Sequence, residues 1–294
     1  MTAPALGAAK ARFVAVALGL LVAVTGCTAV APPHAVRLSL AGAQIPLELV
    51  ESWLRDADEF HFQTERVEPV VYSQHGFQNL LEGRCDVACT DRPIEPRELR
   101  RFGDQQIEGY RVAFYGFALY VHPENPLDSI FAKHIKLLFQ KKITDWKTLG
   151  GTEGPITLYG PRKATRGGMI LMQQARIWFA EPTWIALDSD AEIVEQVAAD
   201  PTALGFASIG FDQNVRYLGI RMERTSPPAF PSLEEIESER YGLAKVIYVY
   251  FDSPPNPAPQ AVLDYLFSER GRTAIESTNV WPIGRERAAL PQTP

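Results

Sequence analysis

The chain has 294 residues, 46% of them hydrophobic and 22% charged, which is globular material with enough length for about two domains of 100–200 residues each. A formal net charge of −6 excludes a protein that tracks a nucleic-acid duplex, because such a protein needs an excess of Lys and Arg against the phosphates. It does not exclude a small anion as ligand, since a single site can be positive on an acidic protein.

In chain order, Lys10 and Arg12 precede an apolar run over 13–24. That run is shorter than the roughly 20 residues of a membrane-spanning helix and reads as the core of a targeting segment. It ends in Val24-Thr25-Gly26-Cys27, small residues before a cysteine, which resembles a bacterial lipobox. Residues 1–27 are therefore expected to be a lipoprotein signal peptide with Cys27 lipidated. Residues 28–35, with Pro32-Pro33, are expected to tether the rest outside the cytoplasm.

A strand is predicted at 36–40, then a Gly42-containing turn and a helix over 47–58 with Leu49, Val50 and Trp53 on one face. Val70-Val71-Tyr72 suits a buried strand, Ser73-Gln74-His75-Gly76 reads as a turn, and Phe77, Leu80 and Leu81 recur at helical spacing until Gly83. Cys85, Val87 and Cys89 alternate as a strand, with Thr90-Asp91-Arg92-Pro93 closing the unit. Strand geometry puts the two cysteines about 13 Å apart, beyond disulfide reach, so both are expected to be free core residues. A long strand follows over 110–121, a helix over 130–139 and a strand over 156–159. That last strand enters a basic glycine-bearing loop containing Arg162, Lys163, Arg166, Gly167 and Gly168, ahead of a helix over 169–179. A helix over 190–199, a strand over 203–209, an apolar strand over 244–251 and a last helix over 259–267, capped by Ser268-Glu269-Arg270-Gly271, complete the chain.

Alternating strands and helices predict an α/β protein with a largely parallel sheet, whose ligand would lie beyond the carboxyl ends of the strands. Each strand-loop-helix junction aims backbone N–H groups at one spot, suited to an anion. No Walker loop, dinucleotide-binding G-x-G-x-x-G, G-x-S-x-G elbow or H-E-x-x-H is present, and the five histidines are scattered singly. No nucleophile comes with a base and an orienting acid, so the chain is expected not to be an enzyme and to need no metal or cofactor.

Several segments, in order, resemble the phosphate-binding periplasmic proteins of ABC transporters, the PstS-like family. They are Leu40-Ala41-Gly42-Ala43 before a Trp-bearing helix, L-E-G-R-C-D-V-A-C-T-D-R-P over 81–93, Y-V-H-P-E-N-P-L over 120–127, I-T-D-W-K-T-L-G-G over 143–151, A-L-G-F-A-S-I-G over 203–210 and L-F-S-E-R-G over 266–271. The resemblance implies a type II periplasmic-binding-protein fold, two α/β lobes joined by two crossover strands. Lobe one would be 36–117 plus 247–290, and lobe two 118–246. It implies an anion held by N–H groups and hydroxyls from both lobes, an arginine, and an aspartate that accepts the ligand's own proton and so discriminates phosphate from sulfate. Asp91 matches that aspartate, Arg162 the arginine and Ser73 a serine of the second loop. With Ala43, Gln44, Gln74, Arg166, Gly167 and Gly168 they form the expected ligand set. Where the family has Ser-Gly-Thr, this chain has Arg166-Gly167-Gly168, which exchanges two hydroxyls for a cation and opens the site to a related oxyanion. The implied partners are inorganic phosphate or such an oxyanion, ABC permease subunits, and the membrane through the lipid anchor, for a monomer that binds no nucleic acid. The same fold with a degenerate pocket would instead suit an envelope protein acting in sensing or as a structural partner.

Overall fold

The computed structural model describes residues 35–58, 60–162 and 183–291. All of them belong to one unit, Pro33–Pro294. Cys27, Lys163, Arg166, Gly167, Gly168 and the helix expected over 169–179 lie outside the described residues.

β1 (Arg37–Gly42) pairs in parallel with β2 (Gln63–Arg66) on one side and β3 (Val87–Thr90) on the other. β6 (Thr157–Pro161) is likewise parallel to β7 (Ile185–Leu187) and β8 (Ala203–Ser208). Between these groups run two long antiparallel strands, β4 (Ile107–Val121) and β11 (Ala244–Asp252), giving the order β2-β1-β3-β11-β4-β8-β6-β7. β5 (Ser129–Phe131) and β10 (Gly219–Arg221) form a separate two-stranded sheet, and β9 (Arg216–Tyr217) lies on the far end of β4. β4 changes partner along its length. Its first part pairs with β11 and with the C-terminal β12 (Trp281–Arg287), and Phe117–Val121 pairs with β8. β4 and β11 are apolar almost throughout because layers cover both their faces, the pattern of a central buried strand.

α1 (Gln44–Arg55) buries Leu47, Leu49, Val50, Trp53 and Leu54 against β1 and β3. It starts three residues earlier than its apolar spacing predicts. Pro46 falls in the first turn, where a missing N–H breaks no helical hydrogen bond. α2 (Ser73–Leu81) likewise begins at Ser73, so the predicted turn at 73–76 is the helix's own first turn. A Cβ on Gly76 would meet Gly42 Cα at 3.0 Å and Ala88 Cβ at 3.2 Å, so glycine lets α2 lie directly on the sheet. The strand predicted at Val70–Tyr72 is not one. Val71 makes a single parallel bridge to Ala43, and Val71 and Tyr72 are 46% and 61% exposed. The sheet's edge is instead β2, whose four residues are all exposed. It is held to α1 where Arg66 Nε and Nη2 donate to the Glu51 carboxylate at 2.6–3.0 Å.

α3 (Pro96–Phe102), α4 (Ala132–Phe139), α5 (Asp190–Ala199), α6 (Leu233–Glu237) and α7 (Pro257–Leu266) follow in turn. Ser268 does not close α7. Its Oγ accepts the Gly271 N–H at 3.0 Å as the N-cap of a further helix, α8 (Glu269–Glu276). Cys85 and Cys89 are free and buried, and burial pushes the Cys85 thiol up to about 12.

Candidate functional site

Three chain turns meet at the carboxyl edge of β1 and β3. β1 ends at Gly42, with φ +138°, where an added Cβ would stand 1.9 Å from Cys89 O. That contact lets the Ala43 N–H donate to Cys89 O at 3.0 Å, which fixes the turn into α1. Ala43 supplies no side-chain cap to α1. Its bridge to Val71 brings in the turn before α2. The third turn, after β3, is joined to the second by a reciprocal pair. Ser73 Oγ donates to Asp91 Oδ1 at 2.6 Å and accepts the Asp91 N–H at 3.0 Å. Ser73 is 3% exposed, so this hydroxyl sits at the buried start of α2 and holds the carboxylate in one orientation.

The second carboxylate oxygen has a partner that the sequence reading missed. Lys245 Nζ donates to Asp91 Oδ2 at 3.0 Å, from β11. The only trace of it in the sequence is a single cation at the start of the apolar run 244–251, at an exposed position of β11, and nothing local ties that cation to Asp91. Asp91 and Lys245 line a cleft of about 260 Å³ with Arg92, Tyr248, Glu237 and Glu239. Arg92 forks onto Glu98, both contacts at 2.7 Å, and its guanidinium lies 5.4 Å from the Phe77 ring centroid. Burial, and then the Asp91 charge, raise the Tyr115 phenol above its ordinary value. Burial, with Glu237 beside it, pushes Tyr248 up to about 12.

The expected ligand residues are not all assembled. Ala43, Ser73 and Asp91 come together as described. The Gln44 side chain turns along α1 to Glu48 Oε1 at 3.1 Å, and Gln74 lines a groove between α2 and α3 with Phe77, Gln78 and Arg101. Arg162 follows β6, where its N–H donates to Leu187 O at 2.9 Å. Its guanidinium forks onto Asp188 at 2.6 and 3.2 Å, and that hydrogen bond and charge hold the Asp188 carboxyl below its ordinary range. Among the described residues no cluster of three or more His, Cys, Asp or Glu could hold a metal ion, and no helix is long and apolar enough to cross a membrane.

A PBP superfamily domain model matches residues 29–270. The chain belongs to that superfamily. Among PBP relatives, it is 24% identical over 221 residues to Protein SphX of Synechocystis sp., covering 68% of this chain and 65% of that protein. It is 24% identical over 195 residues to the phosphate-binding protein PstS of Bacillus subtilis, covering 66% and 63%. The chain thus spans a little less than two thirds of the length of each. Two solved PBP structures share its fold. One is a possible phosphate binding protein from Planctomyces limnophilus, with TM-score 0.64 and 18% identity over 84% of this chain and 93% of that one. The other is an ABC-type phosphate transport receptor from Vibrio cholerae, with TM-score 0.55 and 19% identity over 83% and 99%. The architecture is accordingly the type II PBP fold, with two α/β lobes and long strands crossing between them.

Proposed function

We propose that the protein is an extracytoplasmic solute-binding protein that captures phosphate, or a related tetrahedral oxyanion, between its lobes and delivers it to an ABC importer. The observation that carries this reading is the Ser73–Asp91 couple at the buried start of α2. It presents an oriented carboxylate, able to accept a ligand proton, beside backbone N–H groups of α1 and α2 at the carboxyl edge of a parallel sheet, where α/β folds bind ligands. The names of the PBP relatives support phosphate as the first ligand to try.

In this reading Ala43, Gln44, Ser73 and Gln74 contribute from lobe one, while Arg162, with Arg166, Gly167 and Gly168, contributes from lobe two. The lobes are 36–117 plus 247–290, and 118–246. The exchange of β4 partners at Phe117 supports that division. The mechanism is hinge closure around a desolvated anion, without chemistry on it. Cys27 carries the lipid that keeps the protein at the envelope surface.

Calorimetric titration of the mature chain with phosphate tests the reading. One-to-one binding is expected, with Asp91→Asn weakening it by about tenfold or more, because an amide nitrogen then faces the ligand proton. Failure to bind phosphate, sulfate or a phosphonate would overturn transport and favour a sensing or structural role for the same fold.

A further inference from the structure

We propose that Lys245 sets the ligand selectivity of this site, widening it from a protonated oxyanion to a fully deprotonated one such as sulfate. The inference rests on the oxyanion-binding reading above and concerns a residue which that reading does not require. A bare carboxylate in an anion site is selective because it accepts from a ligand that carries a proton and repels one that carries none. Here the carboxylate is not bare. Ser73 Oγ holds Oδ1 at 2.6 Å and Lys245 Nζ holds Oδ2 at 3.0 Å, so the charge of Asp91 is offset at short range.

Two other charges around the cleft are held in ion pairs of their own. Arg92 is forked onto Glu98, and Glu237 takes Arg111 Nη1 at 2.6 Å. Glu239 adds negative charge to the lining. Among the described residues Lys245 is the cation that donates a hydrogen bond to Asp91, while Arg92, held on Glu98, adds only its nearby charge. Its stem rises from β11 opposite Tyr115 of β4, and its side chain is 47% exposed, which leaves the ammonium free to turn from the carboxylate toward a bound anion. An ammonium is a compact charge with three rotatable donors and can serve both at once. A carboxylate has about four lone-pair positions, so two donors still leave room for a ligand proton. Phosphate is accepted as before, and the repulsion that would exclude sulfate is reduced.

The test is competitive calorimetry with phosphate and sulfate on wild type, Lys245→Met and Lys245→Arg. Wild type should bind sulfate within roughly tenfold of phosphate, and Lys245→Met should lower sulfate affinity about tenfold more than phosphate affinity. Lys245→Arg should restore the wild-type ratio. Phosphate binding in Lys245→Met shows that the variant is folded. Wild type that binds phosphate but ignores sulfate, or a ratio that Lys245→Met leaves unchanged, overturns this role and leaves the phosphate reading standing. Wild type that binds neither anion removes both.

Discussion

Arg92 and Asp91 are neighbours in sequence with opposite tasks. Asp91 faces the cleft, whereas Arg92 turns back to clamp Glu98 on α3 and to cover the Phe77 ring. Burial alone would raise the Glu98 carboxyl, but two hydrogen bonds from Arg92, one from the Glu95 N–H and the Arg92 charge together hold it below its ordinary value of 4.5. A carboxyl lowered by folding adds stability that is fully present above its unfolded value and is lost as pH falls through the folded one. Glu98→Gln should thus cost about 1–3 kcal/mol at pH 7, the range for a charged hydrogen bond broken at a largely buried site. The difference between mutant and wild type should shrink as pH drops below 4.5. Urea unfolding at pH 7 and near pH 3.5 measures both. A constant difference would mean that the clamp contributes through packing on Phe77 and not through charge.

At the scale of elements, the approach of β1 to β3 decides whether the site exists. Gly42 must have φ +138° and no side chain, because its neighbour Cys89 O accepts the Ala43 N–H that aims α1. Gly42→Ala combines left-handed strain with a backbone overlap, so a loss of about 3 kcal/mol or more is expected, together with loss of ligand binding. A thermal melt and a phosphate titration check the two halves, and an unchanged melting temperature would show that the turn can relax. What was legible in the sequence follows from the same physics. The helix over 190–199 and the apolar strand over 244–251 were read almost to the residue, and the strand over 110–121 was read except for its first three residues, because burial on both faces of a strand or on one helix stripe imposes a pattern. β2 was missed because Gln-Thr-Glu-Arg is an exposed edge strand, set by its pairing with β1 and by the Glu51–Arg66 clamp, both long-range facts. Val70-Val71-Tyr72 misled because its composition suits a strand although its position is exposed. Ser73 and Asp91 were placed in one site by the family resemblance, though not their direct coupling, whereas Lys245 reaches Asp91 from 154 positions away and needed the sheet order to be known.

For the whole molecule, β4 is the spine on which the parts meet end to end. Along one edge of β4, β12 pairs at Phe114 and β8 pairs from Phe117 onward, so Trp281 at the head of β12 abuts the end of β8. The indole Nε1 donates to Ile209 O at 2.7 Å, the ring stacks on Phe114 at 6.3 Å, and nearby Asn279 Nδ2 donates to Asp190 Oδ2 at 2.8 Å. Asp190 Oδ1 in turn accepts the Ser208 N–H at 3.1 Å. A C-terminal strand laid on the first part of β4 thereby grips the start of α5 and the end of β8. Trp281 is 43% exposed, so Trp281→Ala loses one hydrogen bond and part of an aromatic contact, about 2 kcal/mol together. The location of the effect is the sharper prediction. Hydrogen exchange should quicken together at the Ser208–Gly210 amides and in β12, because both sides of the contact lose their common support. Faster exchange confined to β12 would show instead that β8 is held by β4 and β6 alone, and that the C-terminal strand is a cover over β4 with no grip on what lies beyond it.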